Sequence, residues 1–262
     1  MNKKLTISHN AGLFSCFTQA LQALMMHYNY YGAMPPIIDR GHQFVHYKSH
    51  PEENLIPMLF EDDCLIPLEE GRQYFMSNDP REQQFSDYKQ LRFNDLQPFI
   101  NRWFTPGIQV KNRVADFKSK YAINTTDTIA VFHRANDKVK ETKVAHDDEW
   151  IAKIKEVIGL HFGKKLFILP DNIEFAQRCR DEFGDVVIIA ENHLYHADAN
   201  GCNFMKVPLA ERPQHALNFY SSVLIASECD QLITHSGNGG FWSVLYRGHT
   251  NGLYQYLNGE WL

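Results

Sequence analysis

From residue 129 onward, short apolar runs alternate with stretches of helical period, and few folds tolerate that alternation. Ile129–Phe132, Lys165–Leu169, Val186–Ala190 and Gln231–Thr234 are too short for helices and rich in β-branched and aromatic side chains, so they read as buried strands. Between them lie helices. Asp147-Asp148-Glu149 forms an acidic first turn that suits a helix amino end. Trp150, Ile151, Ile154, Val157 and Ile158 then trace one face, and Gly163 stops it. Asn172 caps the next helix, with Ile173, Ala176 and Phe183 inward and Gly184 closing it. Residues 214–226 are apolar on most sides, as in a buried helix, and 241–246 form a final one. Strands and helices in this order imply a parallel sheet covered on both faces, with ligands at the carboxyl ends of its strands.

Three of those strand ends carry polar chemistry. After Phe132 charge arrives abruptly, as Arg134, Asp137 and Lys138. A guanidinium offers a planar fork of donors that suits a phosphate. Pro170-Asp171 ends the second strand, and His235-Ser236-Gly237-Asn238-Gly239-Gly240 ends the fourth. Glycines let the backbone turn sharply and approach a ligand, and a helix starting near Gly240 aims free N–H groups at the loop. With Ser236 as a hydroxyl donor, the segment makes a cradle for a diphosphate. It is not a Walker A loop, because no Gly-Lys-Ser/Thr follows, nor the dinucleotide fingerprint of a first strand. The ordinary alternatives are a glycine-rich strand–helix turn and a surface ion pair between Arg134 and Asp137.

The amino-terminal part opens as strand, helix, strand. Leu5–Ser8 is the first strand, and Asn10-Ala11-Gly12 leads into a helix with Phe14, Phe17, Leu21, Leu24 and Met25 at helical spacing. Gly32 and Pro35-Pro36 end it, and Ile37-Ile38 followed by Asp39-Arg40 is the second strand. Residues 41–115 hold Pro51, Pro57, Pro67, Pro80, Pro98 and Pro106 without a sustained period. They predict short helices and long loops around a small sheet, with helix over Gln97–Phe104 and Val114–Tyr121. A turn at Asn124–Asp127 places a boundary between an amino-terminal domain, 1–122, and a carboxy-terminal one, 123–262.

Composition narrows the function classes. The net charge of −5 argues against a nucleic-acid binder with a broad basic surface. The cysteines, at 16, 64, 179, 202 and 229, are scattered without a paired spacing, which favours a reducing compartment over disulfides or a zinc knuckle. Residues 1–10 lack the apolar region of a signal peptide, and no run approaches a membrane span, so the expected location is the cytoplasm. His133, His193, His196 and His235 near strand ends invite a metal-hydrolase reading, but no metal-ligand spacing joins them. Ser236-Gly237-Asn238 also lacks the nucleophile elbow of a serine hydrolase.

Arg134-Ala135-Asn136-Asp137-Lys138 after a strand resembles the Arg-x-x-Asp-Lys core of the first motif of α1,6-fucosyltransferases, which include the nodulation fucosyltransferases. Thr234–Asn238 is similar to that family's strand-end Thr-x-Ser-Ser-Gln segment, which contacts the donor's β-phosphate. Leu166–Asp171 is similar to its strand ending in an acidic residue near the nucleotide, and Asn10–Gly12 to its first strand–helix turn. Phe132 stands where the family usually has His, Ala135 where it has a second Arg, and Gly237-Asn238 where it has Ser-Gln. The resemblance implies a GT-B-like α/β fold of two Rossmann-like domains facing across a cleft, the donor bound by the carboxy-terminal one. It implies an inverting transfer of a sugar, fucose first, from a nucleoside-diphosphate sugar to a glycan acceptor, with no metal and no further cofactor. Arg134 and Asp137 take the catalytic places in that scheme. Asn10, Gly12, His133, Lys138, Asp171, His235, Ser236, Gly237, Asn238 and Gly239 take the donor-binding ones. The general base stays open among Asp39, Asp62 and Asp63, and Tyr28, Tyr30, Tyr31, Phe44, Tyr47 and Trp103 are aromatic surfaces for an acceptor. A UDP-sugar or another GDP-sugar as donor, and a non-catalytic nucleotide- or sugar-binding module, are the competing readings.

Overall fold

A computed structural model describes residues 4–61, 66–134, 141–189 and 207–262. The chain opens with strand β1 (Lys4–Thr6), helix α1 (Leu13–Tyr31) and strand β2 (Ile37–Asp39), which pairs in parallel with β1. The stripe of α1 buries Leu13, Phe14, Phe17, Leu21, Leu24, Met25 and Tyr28, and Gly32 caps the helix in the left-handed region that its missing Cβ permits. Residues 41–115 hold short α2 (Ile56–Leu59), α3 (Phe93–Trp103) and α4 (Ile108–Lys120), each of the two longer helices starting earlier than the sequence suggests. In place of the expected small sheet, the described residues there form two isolated antiparallel bridges, Phe60 to Pro106 and Ser77 to Leu91.

Proline inside α3 explains one of those misread helix starts. Pro98 reads as a first-turn residue, where its missing N–H costs nothing, yet it lies mid-helix. The carbonyl it leaves without an intrahelical donor, that of Asn94, instead accepts from Arg72 Nη2 at 3.4 Å. The adjacent carboxylate of Asp95, almost fully buried, is held by Arg72 and Arg92, both at 2.7 Å.

The second sheet carries strands β3 (Thr128–Phe132), β4 (Lys165–Leu169), β5 (Val187–Ile189), β6 (Gln231–His235), β7 (Leu253–Leu257) and β8 (Glu260–Trp261). Their order is β5-β4-β3-β6-β7-β8, parallel except for the β7–β8 hairpin. Helices α5 (Asp147–Leu160), α6 (Ile173–Phe183), α7 (Arg212–Glu228) and α8 (Asn238–Arg247) complete the chain. After β3 the chain builds outward through β4 and β5, then returns to lay β6 on the other side of β3. The crevice between the ends of β3 and β6 is therefore the topological switch point, where such sheets bind ligands.

The turn between α4 and β3 holds the expected boundary at 122/123. One apolar cluster nevertheless runs across it, joining Phe17 and Leu21 of α1 and Phe104 to Tyr220 of α7 and Trp242 of α8. Phe17 meets the rings of Tyr220 and Trp242 edge-on at 5.2 Å each, and each such buried ring adds roughly 1.5–3 kcal/mol. Thr18 staples the two parts: its Oγ1 approaches Asn238 Oδ1 at 2.7 Å and accepts from Trp242 Nε1 at 2.9 Å. The amino end of α1 is thereby fixed beside the amino end of α8.

Candidate functional site

At the switch point lies a cavity of about 330 Å³, walled by the carboxyl ends of β3, β4 and β6 and the first turns of α1 and α8. Nine of the residues expected at a donor site line it: Gly12, His133, Arg134, Asp171, His235, Ser236, Gly237, Asn238 and Gly239. Asn10 does not. It is exposed, and its side chain accepts from Val45 N–H at 3.1 Å and donates to the Ser8 carbonyl, so it braces the loop at 44–45. Asp137 and Lys138, with Asp62, Asp63, His193, His196, Cys64 and Cys202, lie outside the described residues. Asp39 stands apart from the cavity, tied to Lys4 at 2.7 Å and to Gly41 N–H, and both bonds hold its carboxyl below the usual range.

The turn before α8 is built differently from the expected hydroxyl cradle. Ser236 Oγ is buried, donates to the Tyr256 carbonyl at 2.8 Å and accepts from Gln255 Nε2 at 2.8 Å, so its proton is already used. The Asn238 amide spends its side chain on Thr18 and on Gln84 Oε1. Gly237 N–H goes to the hydroxyl of Tyr88, a ring buried so fully that its phenol is pushed up. What remains for a ligand is backbone. Among the described residues nothing accepts from the N–H groups of Asn238, Gly239 or Gly240, and the first helical bond is Phe241 N–H to the Gly237 carbonyl. Three free N–H groups and the positive end of the helix dipole suit an anion.

Gly239 and Gly240 are helical first-turn residues, not left-handed turn formers. They supply room. A Cβ on Gly239 would sit 2.5 Å from the Phe132 ring, and one on Gly240 would strike Thr234 Oγ1 and the His235 carbonyl. Gly12, by contrast, would place a Cβ in open space.

Arg134 lines the same cavity. Its Nη1 donates to Asp171 Oδ1 at 2.8 Å, with a third of the arginine side chain exposed and Asp171 almost fully buried. The sequence suggests Asp137 as the carboxylate holding Arg134; the described partner is Asp171. His133 points beneath the floor. Its ring is fully buried, stacked on Phe175 at 3.7 Å, with Nδ1 accepting from Asp171 N–H at 3.3 Å. An acceptor at Nδ1 puts the neutral ring's proton on Nε2, which faces Asp147 Oδ1 at 3.4 Å, and the imidazole holds that carboxyl below its usual range. His235 turns to the Lys143 carbonyl, 3.3 Å from its Nε2.

Tyr47, one of the aromatics expected to meet an acceptor, lines the cavity, and sequence reasoning missed Gln84, Glu141, His215 and Phe219, which line it too. None of these belongs to a motif. Gln255 was missed too: it bonds Tyr88 N–H, the Ser86 carbonyl and Ser236 at once, fastening residues 86–88 to the anion-binding turn. Its strand, Leu253–Leu257, was not read from the sequence, although Asn258-Gly259 after it is a hairpin signal, with positive φ angles of 56° and 102° at the β7–β8 turn.

His215 gives a prediction independent of any ligand. Burial pushes it down to about 4, so the folded protein keeps it neutral while an unfolded chain takes up a proton near the usual ~6.5. Stability is full above that pH and falls by up to about 1.4 kcal/mol per pH unit on the way down to the folded value. Thermal unfolding at pH 7 and pH 4.5 should show a smaller loss for His215→Leu than for the natural protein. An equal loss in both rules out this proton uptake as a cause.

No protein-family model and no curated protein matches the sequence. Solved structures do match. A NodZ α-1,6-fucosyltransferase soaked with GDP-fucose superposes with a TM-score of 0.64 at 12% identity, covering 100% of this chain and 98% of the other. The same enzyme co-crystallised with GDP gives 0.64 at 11% over 100% and 98%. The NodZ fucosyltransferase from Bradyrhizobium gives 0.62 at 10% over 98% and 96%. At such identities the likeness is one of fold: the chain has the GT-B-like α/β fold of these proteins.

Proposed function

We propose that the protein is an inverting, metal-independent glycosyltransferase that moves a sugar from a nucleoside-diphosphate sugar to a hydroxyl of a glycan acceptor. The observation that carries this reading is the presence, in the lining of one cavity at the switch point, of both Arg134 and the free N–H groups that open α8. Fold neighbours solved with GDP-fucose and GDP favour a GDP-sugar, fucose first. The acceptor oxygen attacks the anomeric carbon from the face opposite the diphosphate. The bond from that carbon to the phosphate oxygen breaks, and its electron pair leaves with the β-phosphate. Arg134 and the α8 amino end stabilise the growing negative charge, the work a metal ion does elsewhere. The acceptor's proton passes to a base. Buried thiols at Cys16, Cys179 and Cys229 fit a cytoplasmic setting for this chemistry.

Titration with GDP and with UDP, followed by turnover of GDP-fucose with a panel of glycans, tests the reading. The expected result is tighter binding of GDP and transfer with inverted anomeric configuration, unchanged by EDTA. Tighter binding of UDP moves the donor to a UDP-sugar. Binding without transfer or hydrolysis makes the chain a binding module, and activity lost to EDTA and restored by a divalent ion overturns the metal-free mechanism.

A further inference from the structure

We propose that Asp171 is a positioning residue for Arg134, propped from behind by His133, and that neither side chain is a nucleotide ligand. The proposal rests on the glycosyl-transfer reading of the cavity. Strand register creates the pair. Phe132 lies opposite Leu169 in the parallel β3–β4 ladder, and His133 N–H still donates to the Leu169 carbonyl at 3.1 Å. Arg134 and Asp171 are thus each two residues beyond the last paired position, side by side on one rim. Asp171 Oδ1 takes Nη1, one of the five N–H donors of the guanidinium fork. The Asp171 side chain is almost fully buried, and a buried carboxylate is stable only with a counter-charge and hydrogen bonds. Its backbone is fixed as well, through Asp171 N–H to His133 Nδ1, and the imidazole is clamped flat on Phe175 with Asp147 at its far nitrogen. The arrangement holds the guanidinium in place before the leaving group becomes charged, so no reorganisation is needed as the bond breaks.

A carboxylate beside a diphosphate site opposes anion binding by its own charge. This separates positioning from ligation. If Asp171 orients Arg134, Asp171→Asn leaves GDP affinity within about threefold of the natural protein, or tightens it, while kcat falls about tenfold or more. If Asp171 instead binds the nucleotide, GDP affinity weakens about tenfold or more, and the proposal is overturned. Arg134→Lys keeps the charge and loses the fork, and should show the same fall in kcat. A readout that needs no turnover covers the case in which the transfer reading itself fails. In the natural protein the Arg134 Nη protons should exchange more slowly by NMR than those of an exposed arginine, and in Asp171→Asn that protection should fall. An unchanged exchange rate sinks the positioning role whatever reaction the cavity performs.

Discussion

Arg134→Ala folds and loses sugar transfer by about 10²-fold or more, the effect of removing one preorganised donor from a developing oxyanion. The side chain is a cationic group placed on the cavity wall at the end of β3, and a third of it is exposed, so truncation opens no hole in the core. It does remove the guanidinium that the Asp171 carboxylate holds, and taking a counter-charge from a buried carboxylate costs stability in its own right. The double variant Arg134→Ala with Asp171→Asn separates the two effects. It should recover the thermal stability lost by the single variant and recover none of the transfer. Near-normal turnover by folded Arg134→Ala protein would falsify the proposed chemistry, because the three N–H groups of α8 would then suffice alone.

The carboxy-terminal half was legible because its signals are local. Lys165–Leu169 is a strand at the expected bounds, Asn172 accepts from Phe175 N–H at 2.7 Å as a helix cap, and Gly184 closes α6. At α5 the acidic turn does more than expected, since Glu149 reaches back to His146 N–H in a reciprocal capping box. Periodicity and caps depend on residues a few places apart, so a single chain displays them. The site was legible as positions and less so as roles. That Arg134 and residues 235–240 meet follows from strand order. That Ser236 serves Tyr256 and Gln255, or that His133 lies under Asp171, depends on partners 19 to 38 residues away that no local pattern announces. The same limit hid the first turn of α3, where the carbonyl that the mid-helix proline leaves without an intrahelical donor accepts from Arg72, outside the helix.

Three of the glycines around the cavity, Gly12, Gly239 and Gly240, should part company when each is changed to alanine, because each leaves room for something different. Gly240→Ala sets a methyl against the His235 carbonyl at 2.5 Å and against Thr234, both fully buried on β6. Neither can yield without moving the strand, so overpacking of about 3 kcal/mol is expected, or roughly 6–12 °C in melting temperature. Gly239→Ala meets the Phe132 ring instead, and that ring borders the cavity and can swing into it. Its stability loss should be the smaller, and its loss of nucleotide binding the larger, because the displaced ring fills the space the diphosphate needs. Gly12→Ala meets no atom within 4 Å, and its melting temperature should match that of the natural protein. A donor that closes against the first turn of α1 will feel that methyl, so Gly12→Ala should weaken GDP-sugar binding in a chain of unaltered stability. Melting curves and GDP titrations of the three variants decide the matter. Equal melting temperatures for Gly240→Ala and Gly12→Ala would contradict the close packing of α8 on β6 that aims its free N–H groups into the cavity.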